Sequence, residues 1–256
     1  MSTPLPTLRG TSKQVLYPYT ISTNFVTEVT TFVNGSEQRQ ATQPPIIDLV
    51  LPMKSLLNAD QSAYNSFFMG QVGRFGQNIT ATINGVTYND LTLLSDKLWL
   101  TRNMAALYDL DVRLRQTANS GWTPPSAGTV FPVLSFGSSF EYPVATTVGL
   151  MTGVSDNDHG ERFAYEYFGA GIPGFPSSSS GLPRYNLTYP LLSDADITTL
   201  YNFFMSQQGR YASFSFTDPS GSTLTHTRFD QDTITIKAIT VNQWSTSISL
   251  RVTNGS

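Results

Sequence analysis

The residues able to do chemistry are sparse. There are two histidines and no cysteine, so thiol nucleophiles, disulfides and cysteine-based zinc sites are excluded. His159 lies in Asp156-Asn157-Asp158-His159-Gly160-Glu161, whose acids suggest a cation loop. A calcium loop of the EF-hand type needs a further acid before its glycine and a bidentate glutamate six residues after it, whereas Glu161 follows Gly160 directly. The segment therefore reads as a polar turn, with no metal expected. His226, in Thr225-His226-Thr227, falls in a strand pattern and reads as a surface residue. Ser220-Gly221-Ser222 lacks the Gly-x-Ser-x-Gly spacing of a nucleophile elbow. Neither a phosphate-binding lysine loop nor a dinucleotide-binding glycine fingerprint occurs. Paired carboxylates for glycoside hydrolysis converge only in space and leave no local pattern. The expectation is a protein that is not an enzyme and needs no cofactor.

The polar features that recur lie elsewhere. Gln71-Val72-Gly73-Arg74 and Gln207-Gln208-Gly209-Arg210 each close a helix-like segment. Two readings of Arg74 and Arg210 stand: donors to the last helical carbonyls, or partners of an acid across a subunit interface. Asn34-Gly35-Ser36-Glu37-Gln38-Arg39 and Glu161-Arg162 read either as exposed turn ion pairs or as assembly contacts. Asn34, Gly35, Glu37, Arg39, Arg74, Glu161, Arg162 and Arg210 are thus the interface candidates. Asn78-Ile79-Thr80 and Asn186-Leu187-Thr188 match glycosylation sequons and carry no weight without a signal peptide. Trp122 and Phe175 lie in loop sequence, where an exposed ring meets a partner or caps a core edge.

The elements that position these residues come in pairs. Asn65 to Phe75, containing Phe67-Phe68-Met69, matches Asn202 to Tyr211, containing Phe203-Phe204-Met205, at an offset of 136. Val112-Arg113-Leu114-Arg115 matches Ile248-Ser249-Leu250-Arg251 at the same offset. Earlier landmarks, such as Tyr17-Pro18 against Tyr142-Pro143, match at about 125. The difference is absorbed by a Gly/Pro/Ser-rich insertion at 169–181. The chain therefore reads as an internal duplication: a first module over 1–117, a linker over 118–129 and a second module over 130–256.

Each module begins with a Thr/Val-rich run. In the first, Tyr19 to Val33 is expected to turn at Asn34-Gly35 and return through Gln38 to Thr42, with Ile46 to Leu51 as a separate buried strand. A helix capped at Asn58 then runs to about Gln71, burying Tyr64, Phe67 and Phe68. Its counterpart is capped at Asp194 and buries Ile197, Leu200, Phe203 and Phe204 before Gly209. Alternating strands follow both helices. The fold class is mainly β: two similar antiparallel barrel or sandwich modules, each with one packed helix and a long hairpin.

Composition agrees. Of the 256 residues 39% are hydrophobic and only 13% charged, with Ser and Thr filling the polar share. Depleted charge suits surfaces buried in assemblies. A net charge of −3 and the absence of any Lys/Arg run argue against nucleic-acid binding. No window is apolar enough to span a membrane, and the N-terminal Met1-Ser2-Thr3-Pro4 has no signal-like segment.

The Asn34-Gly35-Ser36-Glu37-Gln38-Arg39 hairpin after its Thr/Val strand resembles that of the minor tail proteins of long-tailed bacteriophages. So do Tyr185-Asn186-Leu187-Thr188-Tyr189, the helix ending at Gly209-Arg210-Tyr211, and Phe214-Ser215-Phe216-Thr217-Asp218-Pro219. The pattern departs where the first module has Thr82-Ile83-Asn84-Gly85 and the second has a shortened His159-Gly160-Glu161-Arg162. The resemblance implies a tail-tube-like β fold and a distal-tail or baseplate protein of the virion, made in the bacterial host cytoplasm. It implies a ring around a channel, with tail-tube protein above and a hub or fibre protein below, and no active site; the duplication leaves open three chains presenting six modules or six chains with one module each in the inner ring. The competing expectation is a carbohydrate- or receptor-binding β-sandwich using Trp99, Trp122 or Trp244 as a sugar platform.

Overall fold

The computed structural model describes residues 2–8, 14–31, 37–73, 78–104, 107–116, 122–126, 128–134, 144–147, 184–217 and 221–253. The elements run β1 (Thr3–Pro4), β2 (Tyr19–Thr31), β3 (Glu37–Leu56), α1 (Asn58–Gly70), β4 (Ile79–Ile83), β5 (Val86–Leu93), β6 (Leu100–Met104) and β7 (Leu107–Gln116). They continue β8 (Val144–Thr147), β9 (Arg184–Leu192), α2 (Asp194–Gln207), β10 (Phe214–Thr217), β11 (Thr223–Phe229), β12 (Thr233–Thr240) and β13 (Gln243–Val252). The described residues are mainly β, with two helices and one large sheet ordered β1-β4-β5-β7-β3-β2-β12-β13-β11-β10. β6 branches from β7, and β9 with β8 branches from β13.

Alternation builds the strands. On β7 Leu110, Val112 and Leu114 are buried while Asp111 and Arg113 are exposed. On β13 Trp244, Thr246, Ile248 and Leu250 face inward. This period of two fixes register, because a slip of one residue would turn every apolar group to water.

The pairings repeat along the chain. Leu56↔Tyr108, Leu51↔Val112, Leu49↔Leu114 and Asp48↔Arg115 join β3 to β7. The positions 136 residues later, Leu192↔Trp244, Leu187↔Ile248, Tyr185↔Leu250 and Arg184↔Arg251, join β9 to β13. Leu100↔Leu110 and Thr101↔Asp109 recur as Ile236↔Thr246 and Lys237↔Ser245. Even the irregularities recur. A bulge between Ile79 and Ala81 matches one between Phe214 and Phe216, and Asp90 and His226, in the strands opposite, both hold left-handed φ of 55° and 58°.

Four expectations need correction. The sheet is open rather than closed into barrels: β2 continues across to β12, so the two halves share one sheet. The segments Gln38–Thr42 and Ile46–Leu51 belong to one strand, β3. Pro44 and Pro45 lack N–H donors and sit where the register with β2 slips between Asn24↔Ile46 and Val26↔Gln43, so no ladder is broken. The helix caps fall one residue earlier than expected. At α2 Ser193 accepts from the Asp196 N–H at 3.1 Å; at α1 Leu57 takes the cap position and Asp60 accepts its N–H at 3.2 Å. Phe203 and Phe204 are buried as expected, but Phe67 and Phe68 are only half-buried, and α1 buries Tyr64 and Asp60 instead.

α2 ends with Gln208 and Gly209 both left-handed, at φ 53° and 62°. A Cβ on Gly209 would come within 2.8 Å of Asp232 Oδ1 and 3.1 Å of its Cα. Gly209→Ala is expected to lower stability by about 2 kcal/mol, adding a clash to the left-handed penalty. Gly85→Ala, equally left-handed at 79° but in open space, should cost about 1 kcal/mol. Urea midpoints of the two variants check the difference.

Candidate assembly interface

Among the described residues, a cluster of partly buried charge lies where the β2–β3 hairpin crosses onto the second half of the chain. β2 runs antiparallel to β12, with Thr233↔Asn24, Thr235↔Ser22, Ile236↔Ile21 and Ala238↔Tyr19 in register. Side chains tie this ladder on both faces. Thr233 donates to Asn24 at 2.6 Å, and the hydroxyls of Ser22 and Thr235 lie 3.2 Å apart. Thr23, fully buried, shares a 2.8 Å hydrogen bond with Tyr201 of α2. Burial raises the Tyr201 phenol, which stays neutral.

Asp232 holds the end of the ladder. Its carboxylate accepts from the Thr27 hydroxyl at 2.7 Å, the Thr27 N–H at 3.3 Å and the Arg210 N–H at 3.0 Å, while its carbonyl accepts from the Phe25 N–H at 2.8 Å. One residue thus joins β2, the turn after α2 and the start of β12. Below it Phe25 packs with its ring 5.8 Å from Phe204 and 5.6 Å from Trp122.

At the far end of the hairpin, Glu37 pairs with Arg39 on its own strand and with Arg251 on β13, at 2.9 Å. Arg39 also donates to the Arg210 carbonyl at 2.7 Å, and Arg251 lies 3.6 Å from Asp230. Arg228 donates to the Tyr211 carbonyl. The Arg39 side chain is only 3% exposed, so it is held by these acceptors rather than by water. Burial pushes the Arg39 and Arg228 guanidinium groups below their ordinary value, though both stay charged at neutral pH. Burial acts to raise the Glu37 carboxyl, but the hydrogen bond from Arg39 and the fields of Arg251, Arg39 and Arg228 outweigh it, leaving the group below its usual range.

A comparison with known protein families finds no model that matches this sequence. None of the curated proteins matches it at a significant level.

The candidates sort as follows. Glu37, Arg39 and Arg210 are brought together. Glu37 and Arg39 form a buried network, not an exposed turn pair. Arg210 contributes its backbone N–H and carbonyl, and its Nε is buried without a hydrogen-bond partner among the described residues. Asn34, Gly35, Arg74, Glu161, Arg162, His159, Phe175 and the insertion at 169–181 lie outside the described residues. The three tryptophans differ in exposure. Trp244 is buried, its indole N–H donating to Asp194 at 2.5 Å, and Trp122 packs on Phe25, which leaves Trp99 as the exposed member. Among the described residues no group of three or more His, Asp or Glu could hold a metal ion.

Sequence reasoning missed Arg251, Asp232 and Tyr201. A signal for Arg251 was present. In the first half Arg115 pairs with Asp48 across β3·β7 through bonds of 2.7 and 2.8 Å. At the matching place in the second half the register partner of Arg251 is Arg184 rather than an acid, and Arg251 pairs with Glu37 from the hairpin.

Proposed function

We propose that this chain is a structural, non-catalytic protein of a bacteriophage tail tip or baseplate. In this reading it is built from two tube-like β modules, 1–117 and 130–256, joined by a linker at 118–129. It forms a ring between the tail tube and a distal hub or fibre, in a virion assembled in the host cytoplasm. The observation that carries the reading is the β2·β12 ladder: a long hairpin leaves one repeat unit and extends the sheet of the other. Strand addition of this kind satisfies edge N–H and C=O groups that would otherwise invite aggregation, and it is a general way of joining like subunits. The recurrence of registers and bulges at a spacing of 136 supports the duplication. The tail-protein hairpin and helix-end motifs supply the biological setting.

The test is the mass and symmetry of the purified protein by light scattering and negative-stain imaging. The expected result is a ring of a small, fixed number of 28.1 kDa chains. A monomer at all concentrations, with or without tail-tube or hub protein, would overturn the reading.

A further inference from the structure

The second half of the chain carries a rung of arginines. Arg228 on β11 is the register partner of Arg251 on β13, and Arg251 is in turn the register partner of Arg184 on β9. Arg228 lies between buried Thr227 and Phe229, and Arg251 follows buried Leu250, so both belong to the sheet face turned away from the core. Like charges placed directly opposite one another destabilise a sheet. The first half shows the same rung without that conflict. At the positions 136 residues earlier, Thr92, Arg115 and Asp48 stand on β5, β7 and β3, and Asp48 holds Arg115 through bonds of 2.7 and 2.8 Å. A neutral rung in one half is an all-arginine rung in the other.

Further guanidinium groups crowd the same place. Arg39 donates to the Arg210 carbonyl at 2.7 Å, and Arg228 donates to the next carbonyl, that of Tyr211. The nearby acids are engaged. Glu37 turns one oxygen to Arg39 and the other to Arg251, Asp230 lies 3.6 Å from Arg251, and Asp232 accepts from Thr27 and the Arg210 N–H. Among the described residues neither Arg228 nor Arg210 forms an ion pair, and the Nε of each is buried without a hydrogen-bond partner. The cluster is short of both negative charge and acceptors.

We propose that Arg228, Arg251 and Arg210 form a binding site for an oxyanion of the phosphate class, which supplies the second half with the negative charge that Asp48 supplies to the first. Guanidinium groups suit this ligand, because their fixed N–H forks match the oxygens of a phosphoryl group. The three come from separate elements, β11, β13 and the turn after α2. A tetrahedral anion with two charges offers acceptors in several directions, which a flat, singly charged carboxylate does not. The net charge of −3 and the lack of any Lys/Arg run make this an isolated positive site rather than a groove, so the ligand is a free phosphate or a terminal phosphoryl group, not a nucleic-acid backbone. The site is complete within one chain and stands whether or not the chains form a ring.

Inorganic phosphate is the probe, titrated into the full-length protein by calorimetry in chloride buffer of constant ionic strength. Two variants copy the first half: Arg228→Thr reproduces Thr92, and Arg184→Asp reproduces Asp48. The expected result is one phosphate bound per chain, with Arg228→Thr weakening it by about ten- to a hundredfold. Arg184→Asp places an anion on the rung itself, so it should raise the urea midpoint in chloride and weaken phosphate binding as well. If Arg184→Asp does not fold, Arg228→Thr decides alone. Acetate and a thymidine oligonucleotide should bind less tightly than phosphate; either binding as tightly would overturn the assignment to phosphate. Phosphate also stabilises proteins by exclusion from their surface. A urea midpoint that rises equally in the native chain and both variants, or a native chain that binds no phosphate, would overturn the site.

Discussion

Phe25→Ala is expected to lower stability by about 3–4 kcal/mol, the usual cost of removing a buried ring whose surroundings relax only partly. Phe25 is 2% exposed and sits on β2, yet its ring neighbours are Phe204 on α2 and Trp122 in the segment between the two halves. Its loss opens a cavity in the joint rather than within either half. The urea midpoint should fall accordingly. The joint should also open before the rest of the sheet, so amide exchange should accelerate in β2 and β12 first. Thr30→Ala, further along the same strand and exposed, should change stability by less than about 0.5 kcal/mol. An equal loss in both variants would mean that Phe25 does not anchor the joint. Phe204→Ala should resemble Phe25→Ala, and the double variant should cost less than the two single losses together, since the rings share one cavity.

The elements were legible wherever a local rule governs them. Tyr19, Thr20, Thr23 and Val26 mark a strand by propensity, and Ile197, Leu200, Phe203 and Phe204 mark a buried helical stripe by period. The repeat was legible because Phe-Phe-Met and Gly-Arg recur as words. What the sequence hid was the partner of each edge. Nothing local says that Ile21 lies beside Ile236 rather than closing a barrel within its own half. Contacts between residues so far apart are decided by which edges remain unpaired after the local hairpins form. The same holds for the interface. Glu37 and Arg39 were visible as a charged hairpin stem, but Asp232 became significant only when the fold set it against Thr27 and Arg210. The cost of burying Arg39 was equally hidden, because burial depends on α2 and β13 arriving from the other half. Barrel closure was expected from a domain-sized pattern applied to each half alone. It fails because β2, paired along its length with β3, gives its other edge over Tyr19–Asn24 to β12 of the other half.

Glu37→Ala is expected to destabilise the protein by on the order of 3 kcal/mol, more than any exposed ion pair would cost, because it strands a buried cation. Among the described residues, Arg39, 3% exposed, would keep only the Arg210 carbonyl, and Arg251 only Asp230. Glu37→Gln should cost less, about 1–2 kcal/mol, since the amide oxygen still accepts a hydrogen bond but carries no charge. The pH dependence separates charge from packing. The folded carboxyl lies below the ordinary value of 4.5, so folding favours its ionised form. Its contribution is therefore fully present above about pH 4.5, declines as the pH falls from there through the folded value, and is gone once both states are protonated. Urea midpoints across that window should fall for the native chain, beyond what other carboxylates contribute, and fall less steeply for Glu37→Gln. Parallel pH profiles for the two would show that Glu37 is held by geometry rather than by its charge. Arg251→Met gives the complementary result. It removes the cation that reaches Glu37 from β13, so the Glu37 carboxyl should move back up towards its ordinary value, and the acid-dependent loss should be smaller and complete at a higher pH.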